Sequence, residues 1–212
     1  MKKFIAVAGN IGVGKSTLVT LLCQRLGWQP FSEPQEENPD LADFYREMRN
    51  WSFHSQVFFL GRRLRAHRQL MDHPTSVIQD RSVYEDAEIF AANLYRGGAM
   101  SERDYATYRS LYEALAAILL PPDLVIYLQA PTEALLERIR RRKRDYERTL
   151  SETYVSDLAR SYSEFFYHYD AAPLLIVNTE RLNFADRETD FHLLLDRIRD
   201  MRGAREFFNM GA

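Results

Sequence analysis

One segment constrains this chain more than any other: Gly9-Asn10-Ile11-Gly12-Val13-Gly14-Lys15-Ser16-Thr17, which reads as a glycine, four residues, then Gly-Lys-Ser. Before it stands the apolar run Phe4 to Ala8, and after it a helical pattern from Lys15 to Leu26. In that strand–turn–helix setting the glycines let backbone N–H groups turn inward around phosphate oxygens. The helix start adds its positive dipole end, the Lys15 ammonium reaches the outer phosphates, and the Ser16 hydroxyl can ligate Mg²⁺. A nucleotide-binding α/β chain follows, with its chemistry still open.

The remaining pattern agrees with a parallel sheet. Short apolar runs alternate with longer segments of helical period. Strands are expected at Phe4–Ala8, ending at Phe31-Ser32, at Ser76–Gln79, at Leu124–Leu128 and at Leu174–Val177, which makes five. Helices are expected over 15–26, 40–49, 51–71, 83–95, 101–120, from Pro131-Thr132 into the arginine run, and over 151–169 and 186–201, with Ser101 capping the fifth and Pro121-Pro122 closing it. No repeat, low-complexity tract or linker interrupts residues 1–212, so one domain is expected.

Composition narrows the partners. With 28 basic and 30 acidic residues the formal charge is −2, giving no global attraction to nucleic acid or an anionic membrane. The charge is unevenly spread, however. Between Arg138 and Arg148 stand seven basic residues against two acidic ones, so the rest of the chain is net acidic. The single cysteine, Cys23, fits a reducing compartment. The five-residue apolar stretch after Lys3 is too short for a signal peptide, and no run approaches the roughly 18 apolar residues of a membrane span. A soluble cytoplasmic protein is the expectation.

Two carboxylates follow apolar strands: Glu33 in Ser32-Glu33-Pro34, and Asp80 in Gln79-Asp80-Arg81-Ser82. The carboxyl ends of parallel strands face the binding crevice, so both acids are expected near the transferred phosphate. One can accept the proton of an attacking hydroxyl while the other holds the metal, and Arg81 can neutralise charge in the transition state. Glu33 is favoured as the base, with Asp80 as the other candidate.

Five ordered blocks resemble the deoxynucleoside kinases: Gly9 to Thr17; Glu33-Pro34; Tyr45 through Trp51-Ser52-Phe53 to Gln56 and Arg63; Asp80-Arg81-Ser82-Val83-Tyr84 through Asp86 to Phe90 and Tyr95; and the arginine run ending at Glu147. The resemblance implies a P-loop NTPase fold with an arginine-rich lid and ATP-dependent phosphorylation of a nucleoside 5′-hydroxyl. It implies that Glu33 takes the hydroxyl proton beside Arg81, and that Asp80 and Ser16 hold Mg²⁺. Tyr45 and Glu147 would bond the sugar 3′-hydroxyl. Gln56 would bond the base edge, Phe90 would stack on the base, and the Arg63/Asp86 pair would read its far side, with Leu41 and Phe44 as apolar walls. Arg138, Arg142 and Arg144 match the lid arginines, and 178–184 the loop that holds adenine.

The pattern also departs from the family. Asp80 stands where better-known members carry Glu, Phe59 is larger than is common near the base pocket, and Lys143 replaces a common lid glycine. The Arg63/Asp86 pair favours deoxyadenosine or deoxyguanosine, with deoxycytidine also allowed. The family further implies a homodimer through long helices, to which the apolar stretch Leu115–Leu120 could contribute. Two other functions compete: a nucleoside monophosphate kinase of thymidylate kinase type, and a nucleotide-dependent switch or binding module. The first needs extra cations for the acceptor's phosphate; the second has no use for two carboxylates and an aromatic pocket.

Overall fold

The computed structural model describes residues 2–32, 38–144, 147 and 150–210. Its centre is β1 (Phe4–Gly9), buried at every position, as a strand covered on both faces must be. β2 (Gln29–Phe31), β3 (Val77–Asp80), β4 (Leu124–Gln129), β5 (Leu174–Asn178) and β6 (Arg205–Phe208) join it in one parallel sheet of order β2-β3-β1-β4-β5-β6. The sheet therefore has six strands rather than the expected five. β6 is an edge strand whose residues alternate between exposed and half-buried, so it lacks the apolar run that marks the other buried strands. Arg205 fastens it by donating to the main-chain oxygens of Tyr167 (2.8 Å) and Tyr169 (2.6 Å).

From β1 the chain runs outward to β2 and back through β3, whereas β4 leads the other way to β5 and β6. The loops leaving β1 and β4 thus diverge, opening the crevice that a parallel sheet offers to ligands. Helix α1 (Lys15–Leu26) leaves β1 directly and ends at Gly27, in the left-handed conformation (φ 67°). Helices α2 (Leu41–Arg46) and α3 (Met48–Asp72) follow β2, and α3 buries a stripe at Ser52, Gln56, Leu60, Arg63, His67 and Leu70. Polar Gln56 and Arg63 on that stripe must find partners inside the protein.

After β3 the helical expectation over 83–95 holds with one break in period. α4 (Val83–Glu85) passes through a π-helical turn (Asp86–Ala91) into α5 (Ala92–Arg96). Such a widened turn inserts an extra residue and re-aims side chains, a device concentrated at functional sites. Ser101 accepts from the Asp104 N–H at 3.1 Å and starts α6 (Glu102–Ala116), which stops four residues short of Leu120. Helices α7 (Thr132–Arg142), α8 (Glu152–His168) and α9 (Glu188–Asp200) complete the covering layers. Among the described residues no helix is long and apolar enough to cross a membrane.

Candidate active site

The glycine loop wraps the end of β1 too closely for side chains. A Cβ at Gly9 (φ 145°) would lie 2.6 Å from the Leu128 main-chain oxygen, and one at Gly12 (φ 82°) would lie 2.8 Å from Ile139 Cγ1. Both positions combine a positive φ with contact against β4 or α7, so only glycine fits. Lys15 is buried and donates to the Asn10 main-chain oxygen at 3.1 Å. Ser16 donates to Asp80 Oδ2 across the β1–β3 pair, where Val7 and Asp80 are in register.

Residues Ile11 to Thr17, Arg81, Arg138, Arg141, Arg142, Arg144 and the 179–186 loop line one cleft of about 540 Å³. That volume and polarity suit a nucleotide. The loop expected to hold adenine is thus at the cleft, with Phe184 Cζ 3.2 Å from the place a Gly14 Cβ would take. Arg138 spans the two walls: Nη1 donates to Thr179 Oγ1 (2.9 Å) and the Val13 oxygen (3.4 Å), and Nη2 to the Thr179 oxygen (2.6 Å). Burial, reinforced by the neighbouring Arg141 charge, lowers its pKa. Lys143, at the end of α7, adopts the left-handed conformation (φ 53°) that a glycine would take without cost.

A second cleft is lined by Leu41, Phe44, Tyr45, Gln56, Phe59, Arg81, Asp86 and Phe90, together with Ile11 and Tyr154. α2, α3, the π turn and α8 each contribute to it. Gln56 is 3% exposed, and its Oε1 has no hydrogen-bond partner among the described residues. A buried amide acceptor left in this way is costly unless a ligand satisfies it. The cavity measures about 30 Å³, so a flat base requires these side chains to part.

Arg63 lies behind this wall. Its Nε donates to Asp86 Oδ2 (3.0 Å), its Nη2 to Asp86 Oδ1 (3.4 Å), and its Nη1 to the main-chain oxygens of Asp80 and Arg81 (3.0 Å each). The pair is wholly internal, with side chains 2% and 4% exposed. Arg81 has a left-handed backbone (φ 65°), and its guanidinium carbon sits 4.2 Å above the Phe90 ring centre. Among the described residues, Arg81 and Ile11 line both clefts.

Glu33 lies outside the described residues. Glu147 does not line the second cleft with Tyr45; its buried carboxylate pairs with Arg142, accepting Nε–H at 2.7 Å. The opposite charge five residues away in the same segment satisfies it locally.

Three contributors escaped the sequence reading. Tyr154 enters the second cleft from α8, and burial pushes its phenol pKa up, against the opposing pull of Arg81. Glu85, fully buried, accepts from the Gly9 N–H (3.2 Å), the Ser82 N–H (2.8 Å) and the Tyr162 hydroxyl (2.8 Å). Burial raises its pKa while the charges of Arg81 and Lys15 pull it down. A Ser-x-x-Glu capping box at Ser82 was the available signal for Glu85; for Tyr162 the sequence holds none.

The donor set suits Mg²⁺. Asp80 Oδ1 is buried with no partner among the described residues, beside the Ser16 hydroxyl at the phosphate loop. No cluster of three or more acidic, His or Cys side chains occurs among the described residues. Mg²⁺ in phosphoryl-transfer sites needs only one or two carboxylates, with phosphates and waters completing the shell.

Comparison with known proteins agrees with this geometry. A family model described as deoxynucleoside kinase matches residues 5–201. The chain is 37% identical over 198 residues to a deoxyadenosine/deoxycytidine kinase of Bacillus subtilis (strain 168), covering 92% of this chain and 90% of the relative. It is 32% identical over 204 residues to a deoxyguanosine kinase of Lactobacillus acidophilus, covering 92% and 89%. Deoxyadenosine kinase from M. mycoides, solved with dCMP and dCDP, superposes with a TM-score of 0.84 at 31% identity, over 93% of this chain and 100% of that one. The chain therefore belongs to the deoxynucleoside kinase family, a family of phosphotransferases.

Proposed function

We propose that this chain moves the terminal phosphoryl group of ATP to the 5′-hydroxyl of a 2′-deoxynucleoside, deoxyadenosine or deoxyguanosine ahead of deoxycytidine, in nucleotide salvage. The observation that carries this reading is the position of Arg81 in the lining of both clefts. A cation shared by donor and acceptor sites stands where charge develops as the phosphoryl group crosses.

The other roles follow from the same geometry. Lys15 and the loop N–H groups hold the phosphates, and Arg138, Arg142 and Arg144 surround them from the lid. Asp80 and Ser16 would hold Mg²⁺, which would supply positive charge to offset that of the phosphates. With Asp80 and Ser16 assigned to the metal, Glu33 is favoured over Asp80 as acceptor for the 5′-hydroxyl proton. Phe90 stacks on the base, Gln56 bonds its edge, and Asp86, held by Arg63, reads its far side. Tyr45 positions the sugar, with Glu147 joining it at the 3′-hydroxyl once it leaves Arg142. Two relatives at 37% identity, one named for deoxyadenosine and deoxycytidine and the other for deoxyadenosine, support deoxyadenosine as the first acceptor to try.

A monophosphate kinase would need cations for the acceptor's own phosphate. Arg81 is the one cation among the described residues lining the second cleft, and it is already committed to the transferred group. We further propose a homodimer. Leu111, Ile118 and Leu120 are 42%, 77% and 56% exposed along and just beyond the end of α6, an apolar surface of the kind that association covers.

Labelled ATP with Mg²⁺ and each deoxynucleoside, or each monophosphate, tests the activity. Label is expected in deoxynucleoside monophosphates. Transfer only to monophosphates would favour the thymidylate kinase reading, and no transfer to any acceptor would favour the switch.

A further inference from the structure

We propose that Tyr162 and Glu85 are positioning residues for phosphoryl transfer, aiming the Arg81 guanidinium at the junction of the two clefts and keying it to the phosphate loop. The proposal rests on the reading of Arg81 as the cation shared by donor and acceptor.

An arginine side chain has many rotamers, and a buried one holds a single pose only where acceptors define it. Arg81 Nη1 donates to the Tyr162 hydroxyl at 2.9 Å. That hydroxyl has one proton, which goes to Glu85 Oε1 at 2.8 Å, leaving a lone pair facing Arg81. Glu85 is in turn fixed by backbone: Gly9 N–H at 3.2 Å on Oε1 and Ser82 N–H at 2.8 Å on Oε2. A continuous path therefore runs from the first glycine of the phosphate loop through Glu85 and Tyr162 to Arg81.

The tyrosine ring is itself held. It stacks on Tyr127 (centroids 5.9 Å, 11°) and meets Phe90 edge-on (6.1 Å, 87°). Phe90 also carries the Arg81 guanidinium on its face, so the same ring braces both ends of the Arg81–Tyr162 bond. Neither Tyr162 nor Glu85 lines the phosphate cleft or the second cleft. An effect of these residues on rate must then pass through Arg81 or the loop rather than through ligand contact.

Tyr162→Phe keeps the ring and removes only the hydroxyl. Expected is a drop in kcat of about 10- to 100-fold, the scale on which small misplacements of a reacting constellation act, with KM for ATP and for the best deoxynucleoside within about 3-fold. The decisive measurement is a cycle with Arg81→Met. On that background Tyr162→Phe is expected to change kcat by less than about 2-fold, since the group it positions is gone. If calorimetry shows Tyr162→Phe unfolded, Glu85→Gln runs the same cycle, with a smaller proportional loss expected on the Arg81→Met background because, of its links to Arg81 and the loop, only its Gly9 contact then remains to be lost. Tyr162→Phe at near-native kcat, or an equal proportional loss on both backgrounds, overturns the proposal while leaving Arg81 its role. Full kcat in Arg81→Met overturns the reading of Arg81 and this proposal with it.

Discussion

Arg63 donates from Nη1 to the main-chain oxygen of Arg81 at 3.0 Å, and so braces a residue with left-handed backbone from a helix on the far side of the base cleft. The same guanidinium holds Asp86 through its other nitrogens. The proposed base reader Asp86 and the Asp80-Arg81 strand end therefore share one cation. Arg63→Met leaves the Asp86 carboxylate buried and unpaired by its main partner, a loss of about 3–5 kcal/mol. For a chain of this size that is a fall in Tm of roughly 6 to 20 °C by calorimetry. Arg63→Lys retains a charge beside Asp86 without the fork, so it should recover part of the Tm but neither kcat nor the ranking of bases. Native turnover and base ranking in Arg63→Lys would show that the fork is not needed.

Under the proposed roles the Arg142–Glu147 pair would set donor and acceptor binding against each other, because ATP phosphates and Glu147 would compete for one guanidinium. Glu147→Gln weakens that pair. Expected is a KM for ATP lower by about 3- to 10-fold and a KM for the deoxynucleoside higher by about 10-fold, each on the scale of one charge-assisted hydrogen bond. Steady-state kinetics with a 2′,3′-dideoxynucleoside separates the two effects. Lacking the 3′-hydroxyl, it should show the ATP change alone; a persisting acceptor penalty would place Glu147 away from the sugar.

Much of this arrangement was legible because the glycine loop and the Asp80-Arg81 strand end use short local patterns that dictate backbone shape. Gln56, Arg63 and Asp86 could be named from resemblance, yet their burial could not. Arg63/Asp86 in sequence is as good a surface pair as an internal one, and only the packing of α3 against the π turn decides. The π turn is invisible to periodicity, since one inserted residue in six leaves the apolar pattern nearly unchanged. β6 escaped because this edge strand alternates exposed with half-buried residues and so carries no apolar run. The Glu147 partner was missed because an ion pair within a lid depends on the lid's position rather than on residue type.

Cys23, buried near the C-terminal end of α1, has its thiol pushed by burial from 9.0 up to about 11. At pH 8 the native thiolate should therefore be about 100-fold scarcer than in the unfolded chain. Disulfide-exchange reagents should label native protein about 100-fold more slowly than urea-unfolded protein, because the thiolate is the attacking species. The linkage has a definite sign. A thiol whose folded pKa is raised adds no penalty below about pH 9, and between about pH 9 and 11 the unfolded chain releases a proton that the folded one keeps, so stability falls as pH rises. Native stability measured relative to Cys23→Ala should decline across that window; a flat difference would mean the thiol is not desolvated in solution.

Asp80 offers Mg²⁺ one oxygen already bonded to Ser16 and one with no partner among the described residues, which makes the metal dependence of turnover the sharpest probe of its role. Asp80→Asn keeps the shape, replaces one oxygen by an N–H donor and removes the charge. The Mg²⁺ concentration for half-maximal turnover should rise by about 10- to 100-fold, with ATP still bound through the loop N–H groups and Lys15. Ser16→Ala should raise it in the same direction by less, since a neutral hydroxyl is the weaker ligand. Glu33→Gln gives the contrast: turnover lower by about 10²- to 10⁴-fold, as for loss of a general base, at an unchanged Mg²⁺ requirement. Should Asp80→Asn instead leave the Mg²⁺ requirement fixed while Glu33→Gln keeps near-full activity, the proton acceptor is Asp80, and the metal is held without it.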